Sequence, residues 1–109
     1  MNGLLKAIDG NATHIAARRA FAAVLVELRF RRGLTQDKLA LRSGYTQKYI
    51  SLLERAKFSP SLTALLELAA ALGTSAAELV RRVEEILPRD LKRRNTQRRA
   101  NSTHPTKSD

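Results

Sequence analysis

The sequence predicts an all-α fold of five short helices followed by a disordered basic tail. Apolar residues recur at helical spacing, and a Ser or Thr heads each apolar run, with a Gly or Pro closing all but the third. No stretch alternates polar and apolar residues as a half-buried strand would. The 109 residues, 43% of them hydrophobic, fit one small domain with a modest core and exclude a large two-domain enzyme.

In the first helix the apolar series runs from Ile15 through Phe21, Val24, Leu25 and Leu28. Thr13 is its expected N-cap, which leaves residues 1–12 as a separate N-terminal segment, and Gly33 is the stop behind the basic last turn Arg29, Arg31, Arg32. Thr35 is placed to cap a second helix, with Leu39, Ala40 and Leu41 as its inner face and Gly44 closing it. Thr46 is placed to cap a third, held down by Ile50 and Leu53.

The run "FSPS" is a turn signal, after which Ser61 opens "LTALLELAAALG" with Leu62, Leu65, Leu66, Ala69 and Leu72 expected inward and Gly73 as the stop. Ser75 with Glu78 reads as a capping box for a fifth helix, whose apolar positions are Leu79, Val80, Val83, Ile86 and Leu87 and which Pro88 ends. The domain therefore spans residues 13–88. Residues 89–109 have one leucine and no apolar periodicity, so they bury too little to offset their ordering entropy. Such a tail is either a solvated handle or an arm that lies along phosphates.

Charge narrows the partner. Lys and Arg number 20 against 10 Asp and Glu, a net charge of +10, which favours a polyanion. Residues 18–87 and residues 88–109 each carry +5, so the tail alone does not account for the excess. There is no cysteine, and His14 and His104 stand far apart without acidic neighbours, so neither a metal site nor a cofactor is expected. No paired carboxylates, nucleophile with a base, or Gly-rich phosphate loop points to an enzyme. The longest apolar run, "AFAAVLVEL", is far short of the ~20 residues a membrane span needs, and the N-terminus lacks a secretory pattern. A cytoplasmic protein with no membrane partner is the expectation.

The second and third helices have a spacing with a mechanical reason. Gln36 precedes a small residue, Ala40, where two helices crossing at about 90–120° press together. Gly44 supplies the positive φ of a tight turn, and Ile50 and Leu53 anchor the next helix so that its other side faces out. This is helix-turn-helix spacing over residues 35–56.

The segment from about Phe21 to Leu79 resembles the Cro/C1-type, or XRE, family of helix-turn-helix repressors. The likeness rests on Arg29, Gly33 and Gln36 and on "LTQDKLALRSGYTQKYISLLERAKFSPSLTALLELAAALGTSAAEL" nearly end to end. It implies a five-helix, lambda-repressor-like DNA-binding domain whose third helix enters the major groove. It also implies a homodimer that sets two such helices about 34–36 Å apart.

Carried over by position, Gln47 and Lys48 match base-reading residues, with Tyr49 and Ser51 as further candidates. Gln suits adenine N6/N7 and Lys suits guanine O6/N7. Leu52 stands where some relatives have a polar base contact, and it either meets a thymine methyl or rests on the protein. Gln36 is expected near the backbone, bracing Gln47; Thr35, Arg42, Arg55 and Lys57 are the other phosphate candidates. Arg29 and Glu54 match an internal ion pair of relatives.

Two departures from the pattern stand out. Ala56 replaces the usual Gly after Glu-Arg, so the third helix is expected to end differently or to run on; Phe58 replaces a polar residue, and base rates favour its burial. Val83, Ile86 and Leu87 continue the last apolar stripe past what one domain covers and are the expected dimer interface, unless the apolar "LLKAI" near the N-terminus covers them.

A sequence-specific regulator of operator DNA, acting as repressor or autoregulator, is the leading expectation. The alternative is an antitoxin or adaptor that uses this fold to hold a protein partner, a toxin or another regulator, through Phe58, the fifth helix or the tail.

Overall fold

The computed structural model describes the backbone of residues 2–87 and the side chains of residues 12–87. Pro88, the basic tail, His104 and the side chains of "LLKAI" lie outside the described residues. Five helices follow in order: α1 (Asn2–Arg31), α2 (Gln36–Ser43), α3 (Gln47–Glu54), α4 (Leu62–Ala71) and α5 (Ala76–Ile86). Among the described residues there is no strand.

Helix α1 begins well before Thr13, so that residue is not its N-cap. The backbone passes through Gly3 and Gly10 without a break; an interior glycine costs only about 1 kcal/mol relative to Ala and does not by itself end a helix. The other four caps form as the residue types dictate. Thr35 Oγ1 accepts from the Lys38 amide at 3.1 Å, Thr46 Oγ1 from Tyr49 at 3.0 Å, Ser61 Oγ from Ala64 at 3.0 Å and Ser75 Oγ from Glu78 at 3.0 Å. Each such cap contributes about 1 kcal/mol. The Glu78 carboxylate binds Arg81 and Arg82, so the recorded cap at Ser75 is the hydroxyl half of the box.

The core gathers one stripe from every helix: Val24 and Leu25 from α1, Leu39 from α2, Ile50 and Leu53 from α3, Leu68 from α4 and Leu79 from α5, joined by Leu72 behind α4. Each of these fully buried side chains contributes roughly 1.5–3 kcal/mol by leaving water. α1 packs on α3 and α5, α2 on α3 and α4, and α4 on α5.

The inner face of α4 differs from the expectation. Ala64, Leu68, Ala69 and Leu72 are buried, whereas Leu62 is 71% and Leu66 55% exposed. With nearly every position apolar, the run offered no contrast to orient it. Leu41 is 85% exposed on α2, off the stripe that Leu39 and Ala40 bury. Phe58 is half-exposed in the loop after α3, not buried under it.

Helix α3 ends in a left-handed turn that Ala56 itself adopts, with φ 60°. Its amide donates to Leu53 O at 3.1 Å and the Lys57 amide to Leu52 O at 2.9 Å, the double closure that glycine usually supplies. The helix therefore stops where a glycine would have stopped it, at the cost of a strained alanine.

Candidate nucleic-acid interface

Gly44 joins the two helices of the motif at φ 83°, its amide donating to Ala40 O at 2.9 Å. Ala40 is buried at this junction, and Ile50 and Leu53 on α3 have no exposure at all. That anchoring turns the opposite side of α3 outward. Gln47 and Lys48 are exposed, and Tyr49, Ser51 and Leu52 are partly covered.

Tyr49 is held on the protein by a second aromatic. Its ring lies 4.9 Å from that of Tyr45, tilted by 33°, and the Tyr45 hydroxyl donates to Glu67 Oε1 at 2.7 Å. That hydrogen bond pushes the Tyr45 phenol up to about 12, and burial raises Tyr49. Both rings remain protonated and packed at neutral pH.

A continuous polar chain runs from α1 to the tip of α3. Arg29 Nε donates to Glu54 Oε2 at 2.6 Å and Arg29 Nη2 to Glu54 Oε1 at 2.9 Å, a bidentate pair with side chains only 10% and 7% exposed. Arg29 Nη1 also reaches Leu34 O at 2.9 Å, and the guanidinium lies 4.8 Å from the Phe30 ring centre. Glu54 Oε1 accepts in addition from Gln36 Nε2 at 2.9 Å, and Gln36 Oε1 accepts from Gln47 Nε2 at 2.6 Å. The buried charges are thus satisfied, and the last member of the chain is an exposed Gln whose amide keeps one N–H and its oxygen free for a ligand.

The phosphate candidates fall into three groups. Thr35 and Gln36 sit at the head of α2, with the Thr35 hydroxyl engaged as the cap. Arg42 is exposed in the last turn of α2. Arg55 and Lys57 flank Ala56 behind α3, with Arg55 Nε 3.4 Å from Ser51 O. Arg42, Lys48, Arg55 and Lys57 hold no carboxylate among the described residues, whereas Arg29, Arg31, Arg81 and Arg82 all do. Arg81 and Arg82 of α5 are thus paired, whereas the motif carries several cations with no carboxylate partner among the described residues.

Sequence reasoning missed Tyr45, whose four-residue spacing from Tyr49 was the available signal. Arg18 and Arg19, a basic pair on α1, were not among the sequence candidates either.

Two short helices set across a glycine turn, the second pinned by apolar residues and polar outside, define a helix-turn-helix DNA-binding domain. The helix-turn-helix family model matches residues 25–79. A curated relative described as an uncharacterized HTH-type transcriptional regulator, y4dJ of Sinorhizobium fredii, is 43% identical over 68 residues, spanning 62% of this chain and 88% of the relative. Among solved structures, the clp gene regulator ClgR of C. glutamicum aligns with TM-score 0.63 and 30% identity over 67% of this chain and 95% of that one. The restriction-modification controller protein C.AhdI of Aeromonas hydrophila aligns with TM-score 0.55 and 39% identity over 57% and 94%. The chain belongs to the helix-turn-helix transcriptional regulators of the XRE, or Cro/C1, type.

Proposed function

We propose that the protein is a dimeric, sequence-specific repressor or autoregulator that reads the DNA major groove with α3. The observation that carries this reading is the chain Arg29–Glu54–Gln36–Gln47, which ends on an exposed amide and fixes its orientation before DNA arrives. A preoriented Gln47 can donate to adenine N7 and accept from N6 while its second N–H stays on Gln36. Lys48 donates to guanine beside it, and Tyr49 and Ser51 contribute where the groove reaches their partly covered side chains. Thr35, Gln36, Arg42, Arg55 and Lys57 hold the flanking phosphates, which supply affinity and register without sequence information.

For the dimer, Val83, Ile86 and Leu87 form the seam, supported by the half-exposure of Ile86 and by the exposed Val80 on the same helix. An isologous contact there sets two α3 helices one DNA turn apart, about 34–36 Å. A regulatory role parallels the description of C.AhdI as a restriction-modification controller protein. A second reading, an adaptor or antitoxin that masks a protein partner, is favoured by one feature, the half-exposed Phe58.

Selection of bound duplexes from a random pool separates the two. A palindromic consensus with half-sites about 10 base pairs apart supports the regulator. No enrichment over random sequence, together with a co-purifying protein, supports the adaptor.

A further inference from the structure

We propose that a cleft between α1 and the turn after α3 is a phosphate-binding site that seats the DNA backbone, with Arg18 and Arg19 joining Arg55 and Lys57. The proposal rests on the DNA-binding reading above and adds to it two residues outside the helix-turn-helix motif.

Ile15, Arg18 and Arg19 of α1 and Arg55, Ala56 and Lys57 of the turn enclose about 350 Å³. Arg18 Nη1 donates to Lys57 O at 3.3 Å and its Nε lies 3.4 Å from His14 O, so this guanidinium bridges segments 39 residues apart. These bonds orient Arg18 and leave its charge uncompensated. Arg19, Arg55 and Lys57 likewise hold no carboxylate among the described residues.

The carboxylates of the adjoining cleft, which Arg19 and Arg55 also line, are committed elsewhere. Glu54 is taken by Arg29 and Gln36, and Glu27 by Arg31 and Arg82; both line the adjoining cleft rather than this one. The left-handed Ala56 reverses the chain directly after α3 and sets Arg55 and Lys57 on either side of it. Four cations from two elements around one concave, acid-free wall focus positive potential on its interior. Guanidinium forks match phosphate oxygens, and Lys adds a point charge.

A DNA phosphodiester and a free phosphate anion share this chemistry, and the position favours DNA. In helix-turn-helix docking the N-terminal residues of the second helix reach the base edges, and in α3 those residues are Gln47 and Lys48. With Gln47 and Lys48 at the base edges, the far end of α3 and this cleft come to the flanking strand.

The test uses the full chain and a fluorescent duplex of random sequence, with affinity measured from 50 to about 200 mM salt. Arg19→Gln should lower the slope of log affinity against log salt by about 0.9, and Arg18→Gln with Arg19→Gln by nearly twice that. Arg31→Gln, the same charge change outside the cleft, should leave the slope close to wild type, and circular dichroism melts check that each variant folds. A slope for Arg19→Gln no lower than that for Arg31→Gln overturns the site while leaving DNA binding itself standing. If the wild type binds no duplex, the DNA reading falls first. Pyrophosphate titrated calorimetrically into the wild type and the double variant then decides: binding lost in the variant supports the cleft as a free-anion site, and no binding to either overturns it.

Discussion

Gln36 and Gln47 are tied side chain to side chain across the turn of the motif, with Gln47 Nε2 donating to Gln36 Oε1 at 2.6 Å. One hydrogen bond therefore decides how the first residue of α3 presents its amide. Gln36→Ala removes that brace and one hydrogen bond to the Glu54 carboxylate, which keeps its bidentate pair with Arg29. Its affinity for a duplex selected by the wild type should fall about fivefold, the equivalent of ~1 kcal/mol, with little change in melting temperature. Unchanged affinity would remove the brace from the mechanism.

The Arg29–Glu54 pair is expected to matter more for folding than for binding. Arg29→Ala strands a carboxylate that is almost wholly buried, and should cost about 3–5 kcal/mol in urea unfolding. Arg29→Met combined with Glu54→Leu leaves no stranded charge and should recover most of that loss. A double variant as unstable as the sum of the single ones would contradict this.

Ala56 invites a stabilising change. Its φ of 60° is a conformation glycine adopts without strain, so Ala56→Gly should raise stability by about 0.5–1 kcal/mol after glycine's greater unfolded-state entropy is subtracted. A urea midpoint that rises at constant slope bears this out; a lower midpoint would mean that the turn is not strained.

Glu78 gives α5 a pH dependence. Its hydrogen bond with Arg81, aided by Arg82, draws the carboxyl down to about 2, below the ordinary 4.5. A depressed folded pKa stabilises above the unfolded value and loses that contribution as pH falls through the folded one. The melting-temperature gap between wild type and Glu78→Gln should be constant from pH 7 to about 5 and close between about 4.5 and 2. A gap that persists unchanged at pH 2 would contradict the ion pair.

Much of the motif was legible because its positions contrast with their neighbours. Leu39, Ala40, Ile50 and Leu53 were read as the buried side from their spacing, although the same reading wrongly took Leu41 inward. Thr35, Thr46, Ser61 and Ser75 were readable as caps because a side-chain oxygen three residues ahead of an amide is a local device. α4 was misoriented in part for the opposite reason: in "LTALLELAAAL" hydrophobicity does not distinguish faces, and Ala64 rather than Leu62 is buried. Thr13 misled because a capping type says nothing about whether the preceding residues continue the helix. The Arg18–Lys57 contact joins residues 39 apart, a separation no local pattern reveals.

The central claim is that the outward side of α3 reads bases, and it is tested most directly by measuring Gln47→Ala and Lys48→Ala against both a duplex selected by the wild type and a random duplex. Each variant should bind the selected duplex about tenfold or more weakly, in line with 1–3 kcal/mol per base contact, while Gln47→Ala keeps its affinity for random sequence. Both variants binding the selected duplex as tightly as wild type would contradict the assignment of α3 as the reading helix.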